Sequence, residues 1–177
     1  MTADRIAQRA KRLALFATAL LIVIPLGALF LFATGGVTPD SLQDAYGIAQ
    51  MPDVLAPGPT LVWSAVEATR LALLFWVIWT VRVWLRACAS GAVFAGSTAQ
   101  HVQRIGTALL ALAAAQIIGH TIAVAALTWG NPPGARSLAI AFGSTEMILV
   151  LAAGLVTLFG WIQSEAARMS AENESFV

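Results

Sequence analysis

The sequence predicts an all-α integral membrane four-helix bundle, one domain over residues 1–177, with both termini cytoplasmic. Three observations carry that prediction. Hydrophobic residues make up 59% of the chain and charged residues 11%, and mean hydropathy is +0.80, which is too apolar for an ordinary water-soluble domain. Four apolar runs reach the length, about 20 helical residues, that spans a hydrocarbon core. Lys and Arg also concentrate on alternate connections, as they do in multi-pass proteins that keep positive charge inside.

The first span, 13–33, follows the basic residues Arg9, Lys11 and Arg12. A secretory signal has an apolar core of about 7–15 residues. This run is longer and no small-x-small cleavage site follows it, so it reads as an uncleaved helix. The connection 34–60 carries Asp40, Asp44 and Asp53 and no Lys or Arg, which assigns it outside. Within it PDSLQDAYGIAQM offers Asp40 as a cap and apolar Leu42, Ala45, Tyr46 and Ala49 at helical spacing, the pattern of a short surface helix. Gly47 interrupts that pattern, so an irregular loop competes with the helix.

The second span is 61–81, and Arg82, Arg86 and Arg104 beyond it assign the next connection to the cytoplasm. Ser97 and Gln100 have the spacing of a capping box, so the third helix is expected over 98–129. At 1.5 Å per residue it would run roughly 48 Å, which leaves its first turns in the cytoplasmic interface. Thr107, Ala111, Ala115, Gly119 and Ala123 form a ridge of small residues along it, suited to close helix contact in lipid. Contact inside the bundle is favoured over contact between chains, although a homo-oligomer is the other use of such a ridge. The turn GNPPGARS, with Arg136 its single basic residue, belongs outside; the fourth span is 138–162 and a charged tail occupies 163–177.

Several function classes are excluded. Cys88 is the only cysteine, so one chain can form neither an internal disulfide nor a cysteine metal cluster. A net charge of +1 and the lack of a long basic run argue against direct nucleic-acid binding. No HExxH, GxSxG or Walker lysine is present, so the chain reads as a non-enzyme without cofactor or metal. His101 and His120 fall on one helix at different depths, unlike the opposed ligands of a bis-histidine haem. Trp63, Trp84, Trp129 and Trp161 lie near proposed helix ends and read as interfacial anchors.

The polar residues inside the spans are the candidates for function. A charge at the centre of a span costs about 2.5–3.5 kcal/mol on insertion scales, so such groups should face the bundle and find partners. Counted from the proposed outer ends, Glu67 lies roughly 9 Å deep, Arg70 and His120 roughly 14 Å, and Glu146 roughly 12 Å. Three helices therefore bring four ionisable groups to one level. Glu67 and Arg70, three apart, can pair on one face. Gln116 lies one turn from His120, and Glu146 is left as the excess carboxylate. These groups can serve as interhelical fasteners or as a binding or proton-handling site. In the second case His120 and Glu146 would exchange the proton, and Arg70 would compensate charge or bind an anion.

The inner segment SGAVFAGSTAQHVQRIG and the terminal EAARMSAENESFV resemble the two recurring signatures of a bacterial family of unassigned activity, domain of unknown function 2975. Gly91, Phe94, Arg104 and Gly106 carry the first match; Glu165, Ala167, Glu172, Asn173, Phe176 and Val177 carry the second. The resemblance implies a four-helix protein of the bacterial inner membrane. Both segments fall on the cytoplasmic side, where Arg82, Arg86 and Arg104 could meet Glu165, Glu172 and Glu174.

Two readings follow. The leading one is a regulatory or accessory interaction protein that presents Arg82, Arg86, Phe94, Arg104, Glu165, Glu172 and Phe176 to a cytoplasmic protein partner or an anionic lipid surface. The alternative is a small proton- or solute-handling transporter built on Glu67, Arg70, Gln116, His120 and Glu146.

Overall fold

A computed structural model describes residues 3–52, 55–90, 96–132, 134–140 and 143–174. All regular structure among them is helical: α1 (Ala3–Ala33), α2 (Pro39–Tyr46), α3 (Pro57–Ala89), α4 (Gly96–Leu127) and α5 (Ser144–Glu174). The four long helices are long and apolar enough to cross a membrane.

The expected spans shift at their ends, because hydropathy measures compatibility with lipid while helix ends are set by hydrogen bonding. α1 begins ten residues before the apolar run, and α3 extends beyond 61–81 at both ends, starting on Pro57, which suits a first helical turn. α5 begins at Ser144 instead of 138. There the Gly143 N–H donates to Glu146 Oε2 at 2.9 Å, so a carboxylate in the first turn meets a free amide and the positive end of the helix dipole. The Ser97–Gln100 capping box falls where the Ser97 side chain lies outside the described residues.

The surface helix exists as α2. Its cap is Thr38, not Asp40: the Thr38 hydroxyl accepts from the Ser41 N–H at 3.2 Å, and the Ser41 hydroxyl accepts from the Thr38 N–H at 2.9 Å. Gly47 ends the helix rather than interrupting it, since its φ of 63° is the left-handed C-cap conformation that glycine adopts without strain. Eight residues are too few for a stable isolated helix, so docking must hold α2 in place. Leu42 and Ile48 supply it by packing with Trp63 of α3 and with Ala123, Val124 and Leu127 of α4. Asn131 joins the two connections at this end, donating through Nδ2 to Gln50 O at 2.8 Å and Ala135 O at 3.0 Å.

The long helices pack in chain order, α1 on α3, α3 on α4, and α4 on α5. This row replaces the closed bundle expected from the sequence, and α4 is its central member. Residue pairs show the neighbours to be antiparallel: Thr18 meets Arg82, Arg70 meets Ala115 and Gln116, and Gly106 meets Thr157. The beginning of α1 and the end of α5 therefore lie at one end of the row, and α2 caps the other. Large apolar side chains of α1 and α5, among them Phe16, Phe30, Leu151 and Phe159, remain exposed. Such faces are compatible with lipid, which solvates an apolar surface as well as another helix would.

The small-residue ridge is buried progressively toward the α2 end. Gly119 and Ala123 are buried, Ala111 and Ala115 half-buried, and Thr107 exposed. Below the α2 end, an apolar layer of Val77, Ala108 and Leu112 fills the space between α3 and α4.

Candidate functional site

Glu67, Arg70, Gln116, His120 and Glu146 all line one cavity of about 350 Å³ at the α2 end. Leu42, Ala45, Tyr46 and Trp63 complete its wall. Helical spacing accounts for the convergence. Trp63, Glu67 and Arg70 recur at intervals of four and three on α3, and Gln116 and His120 are four apart on α4. α2 adds Tyr46 from its last turn, and α5 adds Glu146 from its first.

One half of the cavity wall is a closed network. Arg70 Nη1 donates to Glu67 Oε1 at 2.5 Å, and the Tyr46 hydroxyl donates to the same oxygen at 2.5 Å. The Tyr46 oxygen in turn accepts from Trp63 Nε1 at 3.2 Å and Arg70 Nη1 at 3.3 Å. Arg70 also reaches α4, donating from Nη2 to Gln116 O at 3.0 Å and from Nε to Ala115 O at 3.5 Å. With a side chain only 13% exposed, Arg70 directs most of its donors to the protein, which favours its role as charge compensator over that of anion binder. Gly119 makes this reach possible: a Cβ there would lie 3.0 Å from Arg70 Nε.

The other half is open. The His120 ring stacks on Tyr46 with centroids 5.2 Å apart, and neither it nor the Gln116 side chain has a hydrogen-bond partner among the described residues. Glu146 sits in the first turn of α5 rather than deep along a span, and its Oε1 stays available while Oε2 caps Gly143. The site thus carries two carboxylates and one fixed cation, so its chemistry suits a proton on His120 or a small cationic or hydrogen-bond-donating solute.

Two members of the site were not assigned to it from the sequence. Trp63 is 8% exposed and donates to Tyr46, so it is a wall residue instead of an interfacial anchor. Trp129 and Trp161 are 64% and 61% exposed. Tyr46 carries its hydroxyl on the apolar face of α2, and a phenol placed so needs a buried partner; that was the available signal.

Burial raises the Tyr46 phenol from its ordinary value of 10.0 to about 12, and the hydrogen bond to Glu67 adds to the shift. The folded state therefore holds this proton more tightly than the unfolded chain. Stability from it is complete below pH 10 and is lost as pH rises through about 12. Tyr46 is the only tyrosine, so tyrosinate absorbance in a pH titration should appear near pH 12. Glu67→Gln should move the titration back toward its ordinary position without restoring it fully, since burial remains. A midpoint near 10 in the folded protein would contradict the Tyr46–Glu67 contact.

At the opposite end the ion pairs seen among the described residues are local to α5. Glu165 lies 2.5 Å and Glu172 3.9 Å from Arg168 on their own helix. Arg82 donates to Thr18 at 2.9 Å and lies 5.0 Å over the Trp79 ring. Arg86 and Arg104 are exposed, and Phe94 and Phe176 lie outside the described residues, as do Gly91 and Val177. Cys88 is buried.

Among the described residues, then, the chain is all-helical, with four helices suited to a membrane and a polar cavity at one end of their row. It matches no family model, no curated protein and no solved structure.

Proposed function

We propose that the chain is a multi-pass protein of a bacterial inner membrane that handles a proton, or a small polar cation with it, at the outward-facing cavity of α3, α4 and α5. The observation behind this is the convergence of Glu67, Arg70, Gln116, His120 and Glu146 on one cavity whose His120 and Gln116 side chains make no hydrogen bond among the described residues. Ionisable groups within membrane-spanning helices are candidates for ion and substrate paths. Glu67 and Arg70 neutralise each other and hold Tyr46 as a wall. His120 and Glu146 then exchange the proton, because imidazole titrates in the physiological range and the second carboxylate offsets its charge. The apolar layer of Val77, Ala108 and Leu112 beneath the cavity favours a carrier that alternates its access over an open pore.

The orientation rests on charge: Arg9, Lys11, Arg12, Arg82, Arg86 and Arg104 belong to the end with both termini, which the positive-inside pattern assigns to the cytoplasm.

Purified protein in vesicles carrying an internal pH dye, under a potassium diffusion potential, should admit protons above the rate of empty vesicles. Glu146→Gln and His120→Ala should each remove most of that flux. Wild-type flux at the level of empty vesicles, or unchanged flux in both variants, would overturn the reading. It would then favour the alternative of a regulatory or accessory protein acting through the cytoplasmic face. That alternative has less support at present, because Glu165 and Glu172 are engaged by Arg168 and Arg82 by Thr18.

A further inference from the structure

We propose that the crevice between α1 and α3, at the end carrying both termini, binds the phosphate headgroup of an anionic phospholipid. The crevice has a volume of about 540 Å³ and is lined by Lys11, Ala14, Leu15, Thr18, Arg86, Ala89 and Ser90. It is remote from the polar cavity: Glu67 and Arg86 are 19 residues apart on α3, roughly 28 Å along a helix.

The register of the two helices assembles the site. Arg82 donates to Thr18, so the next turn of α3 toward this end carries Arg86 past Ala14 and toward Lys11. Two cations from different helices thereby share one rim. Both side chains are exposed, and among the described residues neither has a partner and no acidic residue lines the crevice. Arg82, fixed by Thr18 and Trp79 one turn deeper, adds positive potential beneath them without being free to leave.

The surroundings select a lipid over a soluble phosphate. The floor of Ala14, Leu15 and Ala89 is apolar, and it continues into the exposed apolar face of α1 at Leu13 and Phe16. An acyl chain can lie along that face while its phosphate stays at the Lys11–Arg86 rim. The rim also stands where the apolar run of α1 begins, the level at which headgroups meet hydrocarbon. A diffuse positive-inside charge would attract any anionic surface, whereas a crevice between two helices retains individual lipids.

Native mass spectrometry of the full chain in detergent, with phosphatidylglycerol or phosphatidylcholine of matched acyl chains, tests this. Phosphatidylglycerol adducts should form in preference, and Lys11→Gln/Arg86→Gln should weaken them roughly thirtyfold, given the contribution of two basic groups near a lipid surface. Lys11→Arg/Arg86→Lys, which keeps both charges, should retain them. Arg5→Gln/Arg9→Gln removes the same charge from exposed positions of α1 outside the crevice and should leave the adducts nearly unchanged. Equal weakening by the two Gln pairs, equal binding of phosphatidylcholine, or displacement of the lipid by millimolar inorganic phosphate would each overturn the proposal.

Discussion

Glu67→Ala should destabilise the protein by about 3 kcal/mol, as removal of one partner from a largely buried ion pair does. Arg70 would remain with a side chain only 13% exposed and no carboxylate beside it. The loss should fall at the lower end of the usual range because Glu67 itself is 33% exposed. Tyr46 would lose its acceptor at the same time, so α2 should loosen first. The double variant Glu67→Leu/Arg70→Leu should recover most of the lost stability, because replacing both partners leaves no unpaired charge. Thermal unfolding of Glu67→Leu, Arg70→Leu and the double variant gives the coupling directly. Additive single effects would show that the two residues act independently. The double variant also separates fastening from function: a pair that only holds helices together could be replaced without loss of proton flux, while a pair that sets the charge of the cavity could not.

The level of the polar cluster was legible in the sequence because a helix advances by a fixed 1.5 Å per residue. Glu67, Arg70, His120 and Gln116 could therefore be aligned before their neighbours were known, and they line one cavity. Glu146 was aligned from a helix start at 138, six residues too early. Residues 138–142 are apolar and read as a span, but the hydrogen bond from Gly143 N–H to Glu146 sets the actual end. The cavity still includes Glu146, at the helix terminus instead of a depth along it. Tyr46 was harder to place. Its spacing on α2 was visible, but its seat beside Glu67, 21 residues away, depends on how the connection folds back over α3 and α4. No local pattern encodes that fold-back. The closed bundle failed for a related reason: hydropathy finds apolar helices but does not distinguish a lipid-facing surface from a helix-facing one. Steric detail does, and glycines hold it.

Gly106→Ala should be the most damaging of the conservative glycine substitutions, at about 3 kcal/mol, the upper part of the usual overpacking range. A Cβ on Gly106 would lie 2.9 Å from both Cα and N of Thr157, which are backbone atoms of α5 and cannot rotate away. Gly160 faces the same seam from the other side, where its Cβ would lie 2.9 Å from Gln103 N. The two glycines thus bring the α4 and α5 backbones together, the close approach that small residues allow between apolar helices. Gly154→Ala supplies the control on α5 itself. Nothing lies within 4 Å of a Cβ there, so the variant should gain about 0.5–1 kcal/mol from the entropy that glycine loses in a helix. Opposite signs for Gly106→Ala and Gly154→Ala in thermal unfolding would separate close packing from helix propensity. Equal stability of Gly106→Ala and wild type would mean that α4 and α5 do not meet in this register. The consequence reaches the cavity, because α5 carries Glu146: a seam forced apart at Gly106 should move that carboxylate away from His120 and, on the proposed function, lower proton flux even in the folded fraction.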